Sequence, residues 1–122
     1  MCFFILWHAG HSLWVVQQLA LTPAGEPARF PADWAEKFKG GSNPATVQQW
    51  PTLAEVVTQL RSQGERLAAV IPTLGEDKLS ALAGDPSRNR TLRWGIVHSL
   101  QDEAGHVGEI WLLKKMLGKS GK

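Results

Sequence analysis

At 122 residues, 43% hydrophobic and 20% charged, the chain has room for one globular domain, 1–122, and one core. A net charge of +2 is too small for a nucleic-acid surface, and the single cysteine, Cys2, excludes an internal disulfide. No apolar run approaches the roughly 20 residues that span a bilayer, so no membrane partner is expected and the expected location is cytoplasmic.

Residues 2–21 contain no proline and one glycine, Gly10. They are apolar almost all round, which marks a buried helix rather than a surface one, and Pro23 stops it. The apolar start lacks a basic leader and a small-residue cleavage site, and His8 interrupts it, so no signal peptide is expected. Cys2, with no histidine beside it in a motif, reads as an apolar residue rather than a nucleophile. Residues 22–50 change character, with Pro23, Pro27, Pro31, Pro44 and the pair Gly40-Gly41, and form a long connection. Within it Asp33 is expected to cap a short helix carrying Trp34 and Phe38 one turn apart, aromatics that with Trp50 pin the connection to the bundle.

After Pro51, Thr52 and Glu55 make a capping box. Leu53, Val56, Val57, Leu60, Leu67 and Ile71 then recur at three- and four-residue steps until Pro72. A polar turn follows, punctuated by Gly84-Asp85-Pro86-Ser87. The last helix is expected over 91–117 with Gly118 ending it. Lys114, Lys115, Lys119 and Lys122 gather where cations oppose the helix dipole. No segment alternates, so the fold class is all-α: three long helices, with the long crossover between the first and second.

One stripe of the last helix changes chemistry along its length. Gly95, Ser99, Asp102, His106, Ile110, Leu113 and Leu117 share a face whose far half reads as core and whose near half is small or polar. Burying a carboxylate and an imidazole costs several kcal/mol unless they are paired or bind a metal. Asp102 and His106, four apart, point the same way and can reach one ion. His8, at the polar end of the stripe His8-Ser12-Val15-Leu19, would be the third ligand. Two histidines and a carboxylate suit Zn, Ni, Mn or Fe without selecting among them. The same spacing also fits a surface hydrogen-bonded pair with His8 packed in the core. His11, His98 and Glu109 lie near this side: His11 reads first as a packing or surface residue and secondly as a supporting group, His98 and Glu109 are candidate catalytic residues, and Glu103 reads as solvated.

Leu6-Trp7-His8-Ala9-Gly10-His11-Ser12 resembles the second-helix signature of DinB-like proteins. The run from Leu92-Arg93-Trp94 through His98, Asp102 and His106-Val107-Gly108-Glu109-Ile110 to Leu117-Gly118 looks like the family's fourth helix, and the Trp34 region and Trp50-Pro51-Thr52-Leu53-Ala54-Glu55-Val56 are similar too. The resemblance implies a helical bundle with a long crossover and a three-ligand metal site, carried by position onto His8, Asp102 and His106. Asp102 departs from the family's usual histidine. The match starts at the family's second helix, so the first is expected to be missing. The sequence is then either a fragment with an incomplete site or a chain whose second copy, in a homodimer, covers Phe3, Phe4 and their apolar neighbours. The implied function is a metal-dependent enzyme acting on a small molecule, either a transferase using a low-molecular-weight thiol or a hydrolase. The alternative is a non-catalytic metal-binding, stress-associated bundle.

Overall fold

The computed structural model describes residues 3–120, all of it helix and connection, with one isolated bridge between Leu82 and Thr91. Cys2 and Lys122 lie outside the described residues. Helix α1 spans Phe3–Val16 and widens into a π-turn over Gln17–Leu21. There Gln17 is buried, and its side-chain amide donates to Thr22 Oγ1 and the Glu26 carbonyl, both at 2.9 Å, closing the chain's exit ahead of Pro23. Helix α2 (Ala32–Phe38) lies inside the crossover, α3 spans Leu53–Val70, α4 spans Glu76–Ser80, and α5 runs Leu92–Ser120. The three long helices are α1, α3 and α5, the last the longest, as the periodicity requires.

Helix α1 is the hub, and this explains its all-round apolarity. Along its first half Leu6, Ala9 and Leu13 pack with Trp34 and Phe38 of α2 and Val56 of α3. Along its second half Val16, Ala20 and Leu21 pack with Leu67 of α3 and with Leu92 and Ile96 of α5. Fully burying side chains such as Leu13 and Phe38 contributes about 1.5–3 kcal/mol each. The buried Gln63 of α3 donates its amide to the Leu13 carbonyl at 2.7 Å, a polar pin between the two helices. No helix is long and apolar enough to cross a membrane among the described residues.

The capping box forms as written: Thr52 Oγ1 accepts from Glu55 N at 3.2 Å, and Glu55 Oε2 accepts from Thr52 N at 2.6 Å. Three local expectations are corrected. Asp33 does not cap α2; Pro31 occupies that position, and the Asp33 carboxylate in the first turn pairs with Lys37 Nζ in the last at 2.8 Å. Gly118 does not end α5, which continues to Ser120, because glycine permits a helix stop without enforcing one. The far half of the α5 stripe is core only in part: Ile110 packs against the core and Leu113 is half-buried. Leu117 is exposed, whereas Gly95 and Ser99 are fully buried. These small residues mark a close helix crossing: a Cβ on Gly95 would collide with the Leu19 carbonyl oxygen. Ser99 settles its own hydroxyl by donating to the Ile96 carbonyl at 2.8 Å.

Replacing Gly95 by alanine should therefore push α5 off α1 and cost about 1–3 kcal/mol, the usual range for overpacking. Gly64, inside α3 with open space where its Cβ would stand, is the control. Gly64→Ala should stabilise by about 0.5–1 kcal/mol, since alanine restricts the unfolded chain and suits a helix. Urea denaturation of both variants checks this, and similar effects from the two would refute the close crossing.

Candidate metal centre

Helices α1 and α5 run antiparallel, with Leu19 against Gly95 at one end and His8 against His106 at the other. The crossing thus fixes which side chains meet about 16 Å further along α5. At that end His8 and His11 of α1 face Asp102, His106 and Glu109 of α5. Their donor atoms form two overlapping triads with every atom within 4.8 Å of the others: His11, Asp102 and His106 in one, His8, His106 and Glu109 in the second. His106 belongs to both.

His11 is the most firmly oriented member. Its ring stacks on Trp7, 4.5 Å between centroids and 9° from parallel, and a second tryptophan, Trp14, stacks at 5.7 Å. Nδ1 of His11 lies 2.6 Å from the Phe38 carbonyl at the end of α2. A carbonyl only accepts, so Nδ1 carries the hydrogen and Nε2 of the neutral ring is a bare lone pair. The crossover is fastened on the same side, where Trp7 Nε1 donates to Ser42 Oγ at 2.8 Å and Ser42 Oγ donates to the Lys37 carbonyl at 3.0 Å.

The remaining contacts form a chain with too few hydrogens. Glu109 Oε2 faces His8 Nε2 at 2.9 Å, His8 Nδ1 faces His106 Nδ1 at 2.6 Å, and His106 Nε2 faces Asp102 Oδ2 at 3.2 Å. Two neutral imidazoles bring two N–H hydrogens to three facing pairs. One pair is left without a hydrogen, and Asp102 Oδ2 is buried and accepts no hydrogen bond. A proton on His106 would close the gap, but burial chiefly holds its pKa below the usual histidine value; His11 and His8 lower it further, while Asp102 and then Glu109 act against them. A divalent cation suits this gap better. It would meet the bare Nε2 of His11, His106 Nε2 and the Asp102 oxygen, which is buried without a hydrogen bond although the side chain as a whole is part-exposed. The residues present fit a metal ion.

Of the expected ligands, Asp102 and His106 fall in one triad, while His8 joins His106 and Glu109 in the other. His11 completes the triad of Asp102 and His106, a place its spacing three residues after His8 only hinted at. Glu109 is drawn in through His8. His98 is not: it is exposed on α5 with its ring stacked 4.5 Å from Trp94, itself covered by the Arg90 guanidinium. A cavity of about 270 Å³ between Phe4, His8, Glu109, Leu112 and Leu113 opens beside the cluster, between α1 and α5. The crossover closes the opposite side.

A family model for the DinB superfamily matches residues 5–110, a stretch that contains all five donors. No curated protein and no solved structure matches the chain.

Glu103, next to Asp102, is half-buried rather than solvated, and desolvation raises its pKa. A carboxyl whose folded pKa is raised weakens the fold once it ionises; the penalty is absent below the unfolded pKa of about 4.3 and complete above the folded one. Glu103→Gln should therefore raise the thermal midpoint at pH 7–8 and leave it unchanged near pH 3. A midpoint that does not move at pH 7–8 would show that Glu103 is solvated after all.

Proposed function

Since the chain belongs to the DinB superfamily, we propose that it binds one divalent metal ion through His11 Nε2, Asp102 and His106 Nε2 and is a metal-dependent enzyme. The observation that carries this reading is the buried Asp102 Oδ2, without a hydrogen bond and 3.2 Å from His106 Nε2. Two histidines and one carboxylate leave positions open for a substrate atom, and the set suits Zn, Ni, Mn or Fe. When bound, such an ion lowers the pKa of a coordinated thiol or water, supplying thiolate for transfer or hydroxide for hydrolysis. The Phe38 carbonyl sets the tautomer of His11 that leaves Nε2 bare, and Trp7 holds the plane of its ring. Phe4, Leu112 and Leu113 give the neighbouring cavity an apolar wall of a size for a small molecule, and a low-molecular-weight thiol is the favoured substrate.

Zinc titration of the ion-free protein tests the ligand set. The parent should take up one ion, and His106→Ala, which strikes both triads, should abolish uptake. His11→Ala and Asp102→Asn should weaken it severely. His8→Ala should cost about 10–100-fold, the usual loss when a group behind a ligand is removed. Should His8→Ala destroy uptake while His11→Ala spares it, the ligands are instead His8, Asp102 and His106, as the family pattern implies. Unchanged uptake in His106→Ala would end the proposal. Catalysis is tested separately by following consumption of cysteine against an electrophilic aryl halide, with and without bound zinc.

A homodimer belongs to the same reading. Val97, Leu100, Val107 and Trp111 form an apolar stripe on α5 that is 46–62% exposed, and a second copy of the chain is the proposed cover; Phe4 on α1, 56% exposed, lies beside Leu112 and Leu113. Light scattering should give twice the chain mass, and Trp111→Glu should return it to a monomer; a monomeric parent at high concentration excludes the dimer.

A further inference from the structure

The hydrogens in the chain Glu109–His8–His106 have a direction, and it is set at the outer end. The Glu109 carboxylate accepts, so His8 Nε2, 2.9 Å away, is the nitrogen that carries hydrogen. The neutral His8 ring is then bare at Nδ1. That lone pair faces His106 Nδ1 at 2.6 Å, a separation that requires a hydrogen between the nitrogens, and His106 supplies it. His106 is left bare at Nε2, the atom turned toward Asp102. From the other side the Phe38 carbonyl fixes His11 with Nε2 bare. Two independent anchors, a side chain on α5 and a backbone carbonyl at the end of α2, thus leave one bare nitrogen on each of two imidazoles whose donor atoms, with that of Asp102, lie within 4.8 Å of one another.

From this we infer that Glu109 and His8 are positioning residues, which hold His106 in the tautomer that presents Nε2 to the ion. The inference rests on the metal-binding reading above and assigns both residues a task outside the ligand set. Glu109 suits it because it is the exposed end of the chain, at the rim of the cavity, whereas His8 and His106 are largely buried. An acceptor behind a ligand histidine orients the ring and raises its basicity, and its removal costs metal affinity without changing the number of ligands.

The test uses the full chain, with nitrogen-15 NMR reporting the His106 tautomer in the ion-free protein and cobalt(II) titration reporting affinity and the visible spectrum. The ion-free parent should show His106 with hydrogen on Nδ1. His8→Ala and Glu109→Ala should give a tautomer mixture and bind cobalt about 10–100-fold more weakly, with the spectrum of the bound ion keeping its band positions. His8→Gln, whose amide oxygen can accept from His106 Nδ1, should recover the single tautomer and most of the affinity. Circular dichroism of each variant checks that the bundle is intact. A His106 tautomer indifferent to His8→Ala overturns the inference while leaving metal binding in place. Loss of cobalt in His8→Gln as complete as in His8→Ala also overturns it, because His8 is then a ligand. A parent that takes up no cobalt defeats the metal-binding reading itself, whatever the tautomer does.

Discussion

The close crossing of α1 and α5 at Gly95 and the Leu19 carbonyl is the contact on which the arrangement depends. A side chain at position 95 would separate the helices, and the pairing of residues along their length would be lost with the separation. Because the helices are antiparallel and rigid over three to four turns, fixing one end fixes the other, and His8 and His11 arrive opposite His106 without a loop to guide them. Ser99, fully buried between these points, keeps the helices near each other and satisfies its hydroxyl within its own helix. The apolar energy of the fold is concentrated around α1, whose two halves join two clusters of core residues. The polar end is held by that core and adds little to it.

That polar end has a cost. A buried Asp102 oxygen that accepts no hydrogen bond is expensive in a protein whose total stability is only about 5–15 kcal/mol. Protein interiors retain such groups where an ion repays the desolvation, and free energy released by the ion is then also folding free energy. The same view accounts for the tryptophans around the cluster. Trp7 and Trp14 stack on His11 and limit its ring to one orientation, so little rotamer freedom remains to be lost on coordination.

Much of this was legible in the residues because its causes are local. The Thr52–Glu55 box, the stripe of α3 and the proline-rich crossover each follow from neighbours within four positions. The motifs around His8 and His106 carried the family as well, and the profile match over 5–110 agrees with them. Illegible features depend on partners distant in sequence. His11 is oriented by the Phe38 carbonyl, 27 positions away, and nothing in its spacing from His8 distinguishes a ligand from a packing residue. Gly95 and Ser99 read from the sequence only as the small or polar half of a stripe and lie buried at a close helix crossing, because sequence reports size but not how near the next helix comes. Glu109 and His98 offered similar promise on α5. One faces α1 and the other solvent, a difference set by helix rotation.

The bond from His11 to the Phe38 carbonyl joins the cluster to the long crossover, which is otherwise fastened there by Trp7 and Ser42. Any free energy spent ordering residues 22–52 is therefore shared with the donor set, and the coupling runs in both directions. A crossover that loosens releases the His11 ring, and a ring held by an ion tightens the crossover. For an ion held as proposed, the connection would act as an adjustable spring on affinity. Changes in its length or stiffness, far from any ligand, would retune the centre while every donor residue stays the same.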